Sequence, residues 1–331
     1  MKKNKLAIVG ATGVVGRTVL KVLEERNLES FEYFLFSSKK SAGSKINFMK
    51  NDYTIMELSE DCFNENFDYA IFCAGGEISK KYAPIAAKTG CVVIDNSSHF
   101  RMVTDIPLIV PEVNSNDIAK HKGIIANPNC STIQAIVAIA PLHKKYNVKR
   151  IVYSTYQAVS GAGIKGIDDL KNGINGNSIL TKFPHPIFNN CLPHIDTFLE
   201  NGYTKEEEKM INETRKILNA PHLNITATCV RVPVFNSHSE SINIEFERDF
   251  ELLDLIDTLK HSKNITIYDD PDNNLYPLAA TATGHDNVFI GRIRRDYSVP
   301  SGINLWVVAD NIRKGAATNA VQILEKLLAF N

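Results

Sequence analysis

Three side chains in settings that favour chemistry stand apart in this sequence. Cys130 lies in the string Asn127-Pro128-Asn129-Cys130-Ser131-Thr132-Ile133-Gln134. The apolar run Ile124-Ile125-Ala126 leads in and reads as a strand end, and Ile133 to Ile139 leads out and reads as a buried helix. Pro128 sets a rigid turn between them, so Cys130 falls at or near a helix N-terminus. There the exposed N–H groups and the positive end of the dipole favour a thiolate, and they could hold an oxyanion formed when the sulfur attacks a carbonyl. On position alone, a small buried structural cysteine fits as well. Arg231 sits in the apolar strand Ile225 to Val234, where a cation is expensive without an anion, and its planar fork suits a carboxylate. His238 follows in a polar turn, and a histidine titrating near neutrality is the usual proton carrier.

The elements that must position these residues follow an alternating pattern. Lys5 to Val9 reads as a strand, followed by Gly10-Ala11-Thr12-Gly13-Val14-Val15-Gly16 and an amphipathic helix through about Arg26. Strand, Gly-rich turn and helix is a dinucleotide-binding arrangement, with the pyrophosphate on the helix N-terminus. The next strand, Phe31 to Phe36, ends in Ser37-Ser38-Lys39-Lys40-Ser41-Ala42-Gly43. It carries no acid for a ribose 2′-OH, and it does carry hydroxyls and cations for a 2′-phosphate, so NADP is expected over NAD. Tyr69 to Ala74 and Cys91 to Ile94 read as further strands, with a helix from Ser79 to Thr89 between them. The second of these strands leads into Arg101, a candidate anion clamp at the carboxyl edge of a parallel sheet.

Beyond Cys130, Arg150 to Val159 reads as a long strand with Gln157 near its end, running into Ser160-Gly161-Ala162-Gly163. Residues 164 to 200 read as an irregular excursion rich in Gly, Asn and Pro. Thr204 is a plausible N-cap for a helix whose Glu206 and Lys209 share a face. Strands at Ile242 to Phe246, Ile265 to Tyr268, Val288 to Arg292 and Ile303 to Val308, with a helix at Glu251 to Leu259, suggest a largely antiparallel sheet with helices on one face.

The string around Cys130 resembles the nucleophile motif of aspartate-β-semialdehyde dehydrogenase, and the string from Arg231 to Ser241 is similar to that family's second catalytic motif. Ser38, Ser41, Ala42 and Gly43, the segment Asn96 to Met102, Pro111 to Asn114 and Gln157 to Gly163 resemble further family segments. Lys40 stands where the family usually has Arg, and a point charge in place of a planar fork weakens the expected preference for NADP.

The resemblance implies an α/β protein: an N-terminal Rossmann-type doubly wound parallel sheet and a second α+β catalytic and dimerisation domain. The cofactor domain would span residues 1–127 with a returning helix at 312–331, and the catalytic domain 128–311. It implies NADPH-dependent reduction of L-aspartyl-β-phosphate to aspartate-β-semialdehyde in the synthesis of lysine (with diaminopimelate), threonine, methionine and isoleucine. Cys130 would be the nucleophile, His238 the acid/base and Gln157 the residue that orients substrate. Arg101 and Lys209 would hold phosphate, Arg231 the α-carboxylate and Glu206 the amino group, with Asn129 lining the substrate site. Gly10, Thr12, Gly13, Val14, Val15, Ser38, Lys40 and Ser41 would hold NADP(H), with Ser160, Gly161 and Asn311 toward the nicotinamide. N-acetyl-glutamyl-phosphate reductase, whose cysteine follows Gly where Asn129 stands here, and a non-catalytic NADP-binding protein are the alternatives.

Composition agrees with this class. The length of 331 residues suggests two domains. Lys+Arg and Asp+Glu both number 37, so no net field points to nucleic acid or an anionic membrane as partner. Six cysteines without a C-x-x-C pair argue against a metal site and a disulfide framework, which suggests a reduced, cytoplasmic setting. A homodimer through the second domain, or a homotetramer built from two such dimers, is the assembly that the resemblance implies.

Overall fold

Strand β1 (Asn4–Val9) is buried over its last four residues, because a strand central to a parallel sheet is covered on both faces. In a computed structural model, which describes residues 3–330, the chain divides into two units, Met1–Pro128 with Ala316–Asn331, and Asn129–Gly315.

In the first unit β1 lies between β2 (Phe31–Ser37) and β6 (Tyr69–Phe72), parallel to both. A hairpin of β3 (Lys45–Phe48) and β4 (Asn51–Thr54) precedes β5 (Met56–Glu57), and β7 (Val92–Asp95) and β8 (Ile124–Ala126) complete the order β5-β2-β1-β6-β7-β8. Every pairing in this sheet is parallel. Strand order reverses between β1 and β6, the kind of switch point at which open α/β sheets bind ligands. Helices α1 (Val14–Glu25), α2 (Gly76–Lys88) and the short α3 (Pro111–Asn114) follow the strands. Gly10 has φ +84°, and a Cβ on Gly16 would lie 2.2 Å from the Gly10 carbonyl oxygen, so α1 packs directly on the turn.

The second unit opens with α4 (Cys130–Tyr146) and holds the sheet β10-β9-β11-β14-β13-β12. Its strands are β9 (Val148–Gln157), β10 (Asn224–Arg231), β11 (His238–Phe246), β12 (Ile265–Ile267), β13 (Val288–Asp296) and β14 (Gly302–Ala309). The inner pairings are antiparallel, but β10 pairs with β9, and β12 with β13, in parallel. The expected, largely antiparallel sheet is thus a mixed one. Both parallel pairs are joined by long connections, which allow a crossover where a hairpin would force antiparallel pairing.

Residues 164 to 200 are also more regular than expected. They begin with α5 (Ile164–Ile174), whose Leu170 packs with Val159, Phe183, Ile187 and Leu192. Asp169 pins the following segment by accepting from the backbone of Thr181, Lys182 and Phe183 and from the Thr181 hydroxyl. Tertiary packing overrides the poor helix propensity of Gly166, Asn172 and Gly173. Helices α6 (Lys205–Ile217), α7 (Leu252–Lys260) and α8 (Ala279–Ala282) complete this unit.

The chain then returns to the first unit through a π-helical turn, Arg313–Ala317, and α9 (Thr318–Phe330). Val321, Ile323, Leu324 and Leu327 of α9 join Leu6, Ile8, Val19 and Leu23 in its core. Each such buried Leu or Ile is worth about 2–5 kcal/mol against truncation to Ala. Among the described residues no helix is long and apolar enough to cross a membrane.

Candidate active site

Cys130 is the first residue of α4, and Asn129 is its cap. The Asn129 side-chain oxygen accepts from the Ser131 and Thr132 amides at 3.0 and 3.3 Å, a cap worth about 1 kcal/mol. Its side-chain amide donates to Glu206 Oε1 at 2.9 Å, and its backbone N–H donates to Glu213 Oε2 at 2.7 Å. Both sides of the turn before Cys130 are therefore tied to α6. The Gly315 backbone closes the other side, since a Cβ there would lie 2.8 Å from the Cys130 Cβ.

His238 begins β11 and is fully buried. Its Nε2 lies 3.3 Å from Cys130 Sγ, and its Nδ1 accepts the Ala158 N–H at 3.0 Å. A backbone amide can only donate, so Nδ1 carries no proton and the neutral ring presents Nε2–H to the sulfur. Burial, followed by the charge of Arg231, pushes His238 well below the ordinary histidine value. The preceding Ser237 has φ 71°, a strained conformation for a non-glycine residue. Asn311 holds it by accepting the Ser237 N–H at 2.9 Å, and the Ser237 and Thr283 hydroxyls are 2.8 Å apart. Asn311 also bonds Ser160, at 3.1 Å from its side-chain amide and 3.3 Å from its oxygen.

Arg231 ends β10 and is 5 % exposed. Its Nη1 donates to the Ala158 carbonyl at 2.7 Å, while its Nε is buried without a hydrogen-bond partner among the described residues. Burial depresses its pKa, against the attraction of Glu206 and of the Cys130 sulfur. Gly161 packs on it, for a Cβ there would lie 2.9 Å from Arg231 Nη1 and 3.3 Å from His238 Nε2. Gln157, the last residue of β9, donates to Glu206 Oε1 and to the Thr155 hydroxyl, both at 3.2 Å.

Of three consecutive glutamates, each has a different task. Glu206 meets Asn129, Gln157 and Lys209; Glu207 closes a capping box with Thr204; Glu208 bonds Asn201 and Asn212. Burial works against the charged form of Glu206, but Lys209, Asn129, Arg231 and Gln157 outweigh it and hold its pKa below the usual value. Lys209 Nζ lies 3.3 Å from Glu206 and 2.6 Å from Asp196. The structure thus brings Cys130, Gln157, Glu206, Lys209, Arg231 and His238 together within the second unit.

Sequence reading missed Glu213, Asp196 and the Ala158 backbone. The signal for Glu213 was present: Glu206, Met210, Glu213 and Ile217 recur on one buried face of α6, and an acid in an apolar stripe needs a partner. His194 stacks on Phe198 with ring centroids 4.3 Å apart.

In the first unit the start of α1 has the shape of an anion cradle. Gly13 caps it in extended conformation with no side-chain hydrogen bond, leaving the first amides, those of Val14 and Val15 among them, without a side-chain cap. Thr12 Oγ1 is 2.7 Å from Ser37 Oγ, which ties this turn to the end of β2. Ser38 and Lys40 are exposed just beyond, with Ser41 half-buried beside them. One acid that the linear pattern did not show does come near: Glu57 of β5 pairs with Ser37. Arg101, 8 % exposed, donates to the carbonyls of Asn127 and Asn96, both at 2.9 Å.

Residues 5–121 match the family model for the NAD-binding domain of semialdehyde dehydrogenase, and residues 139–314 match its dimerisation domain. The chain is 53 % identical to the aspartate-semialdehyde dehydrogenase of Aquifex aeolicus and 48 % identical to that of Bacillus subtilis, each match covering 98 % of both chains. The crystal structure of aspartate semialdehyde dehydrogenase II from Vibrio cholerae superposes with a TM-score of 0.95 at 47 % identity over 99 % of both chains. The first unit is accordingly a nicotinamide-cofactor domain, and the chain belongs to the aspartate-semialdehyde dehydrogenase family.

Proposed function

We propose that this enzyme reduces L-aspartyl-β-phosphate to L-aspartate-β-semialdehyde with NADPH, through a thioester on Cys130. The observation that carries the reading is Cys130 Sγ at a helix N-terminus, 3.3 Å from the Nε2 of a buried, neutral His238. The sulfur attacks the acyl carbon, the carbon–oxygen bond to phosphate breaks, and phosphate leaves with the electron pair. The α4 amides favour the oxyanion formed on the way. His238 presents its Nε2–H to the sulfur and steadies the thiolate that attacks. Arg231 takes the α-carboxylate, Glu206 the amino group, and Arg101 and Lys209 the phosphate; Gln157 and Asn129 orient the acyl group. The cofactor, when bound, supplies the hydride that reduces the acyl group. The relative from Vibrio cholerae, described as complexed with ASA, supports this substrate class.

Gly10, Thr12, Gly13, Val14 and Val15 would hold the pyrophosphate, Ser38, Lys40 and Ser41 the 2′-phosphate, and Ser160, Gly161 and Asn311 the nicotinamide end. Replacing Lys40 with Ala should raise the KM for NADP by about tenfold, the size of one lost charge-assisted contact, and leave that for NAD unchanged. An equal change for both cofactors would remove Lys40 from the 2′-phosphate site. A homodimer through the second unit is supported by the face of its sheet opposite His238. Tyr156, Tyr276 and Leu278 are exposed there, and a depression of about 330 Å³ is lined in part by Trp306 and Ser239. Sedimentation velocity should give twice the chain mass at micromolar concentration; a monomer would end this assignment.

The test of the activity follows NADPH formation from aspartate-β-semialdehyde, phosphate and NADP, with N-acetyl-glutamate semialdehyde in parallel. Phosphate-dependent turnover of the first alone is expected. Turnover of the second alone would move the chain to the sister chemistry.

A further inference from the structure

Glu240 lies two residues beyond His238 on β11, where alternation turns both side chains to the same buried face. It is 0 % exposed, and neither carboxyl oxygen has a hydrogen-bond partner among the described residues. A second orphan stands nearby. Gln134 of α4, also 0 % exposed, donates through Nε2 to the His238 carbonyl at 3.2 Å and to that of Val307 at 3.5 Å. Its own oxygen has no partner among the described residues. Val307 is the residue of β14 paired with Glu240, so the Gln134 amide rests over the strand pair at the foot of Glu240. A buried amide oxygen that needs a donor and a buried carboxyl group that, when protonated, has a donor to give thus lie at the same pair of strands.

We propose that Glu240 is a positioning residue of the catalytic pair: its carboxylic O–H donates through one bridging water to Gln134 Oε1, and so fixes the amide that holds the His238 backbone at Cys130. This rests on the reading of Cys130 and His238 as the reactive pair. The surroundings keep the acid protonated. Burial first, and then the charge of Glu206, push Glu240 well above the ordinary carboxylate range. The titratable groups that act on it are Glu206 of α6, Tyr153 of β9 and Cys229 of β10, and His238 precedes it on the same face of β11. None of these supplies a cation, and Arg231 of β10 is engaged with Glu206 and Cys130. The inward residues of β14, Leu305, Val307 and Ala309, carry no charge. As pH rises through the Glu240 pKa, the donor is lost and a second buried carboxylate appears beside Gln134 Oε1. Activity should therefore fall on the alkaline side.

Glu240→Gln supplies an N–H donor at every pH and is close in shape. In the full-length enzyme it should keep kcat within about twofold of the parent at pH 7 and lack the alkaline fall. Glu240→Leu, which has no donor, should lower kcat by about tenfold or more at all pH values with KM little changed. An independent readout is 15N NMR of histidine-labelled protein. The His238 ring signals should shift on the alkaline side in the parent and stay fixed in Glu240→Gln, whatever acyl phosphate the enzyme takes. Superimposable pH profiles and His238 titrations for the parent and Glu240→Gln would overturn the proposal. So would a folded Glu240→Gln enzyme that is inactive at every pH.

Discussion

Replacing Cys130 with Ala removes turnover by about 10⁴-fold or more, on the scale at which lost nucleophiles act, while cofactor binding is retained. Retention is expected because the cap, not the thiol, shapes the start of α4: Asn129 makes its bonds to Ser131, Thr132, Glu206 and Glu213 without the sulfur. Cys130→Ser keeps the shape with a much weaker nucleophile and should sit near the Ala variant. The pH dependence of the parent carries a matching expectation. His238 lies well below the ordinary histidine value, so acidification through the usual histidine range leaves its ring neutral. The imidazolium also needs a proton on Nδ1, where the Ala158 N–H already points. Alkylation of Cys130 by iodoacetamide should therefore show no step between about pH 6 and 7, the ordinary range of a histidine. A clear histidine step there, or an active Cys130→Ala enzyme, would sink this account.

What was legible in the sequence was local. Pro128 before an apolar helical run places Cys130 at a helix start, Thr204 reads as the N-cap it proves to be, and the spacing of Gly10, Gly13 and Gly16 announces the turn after β1. In each case the cause and its effect lie within a few residues. What was not legible depends on partners far along the chain. The parallel pairing of β10 with β9 is set by the crossover through α5 and α6, not by any pattern within the strands. Helix α5 forms against propensity because Leu170 finds Phe183 and Ile187. Lys209 reads as half of a helix-face pair with Glu206, yet its shorter contact is to Asp196, thirteen residues back in a turn at φ 69°. Arg231 was expected to need an anion, and the fold gives it one only in part: Glu206 attracts it, while its Nη1 donates to a backbone carbonyl.

That incomplete pairing makes Arg231 the second position of large effect. Its buried Nε, without a hydrogen-bond partner among the described residues, is the donor a substrate carboxylate would complete, and truncating one member of a buried charge pair costs about 2–5 kcal/mol. Arg231→Leu should lower kcat/KM by about 10²–10³-fold or more, and Arg231→Lys, with a charge but no fork, should recover only part of it. A second consequence separates substrate binding from general damage. Arg231 is one of the causes that hold His238 neutral, burial being the larger. Removing this cation raises the His238 pKa, so an imidazolium forms at higher pH than in the parent. The His238 titration, followed by 15N NMR without substrate, should move to higher pH in Arg231→Leu and stay in place in Arg231→Lys. If Arg231→Leu lost activity with the His238 titration unmoved, the charge of Arg231 would have no hold on the pair. If it kept full kcat/KM, the α-carboxylate would be bound elsewhere.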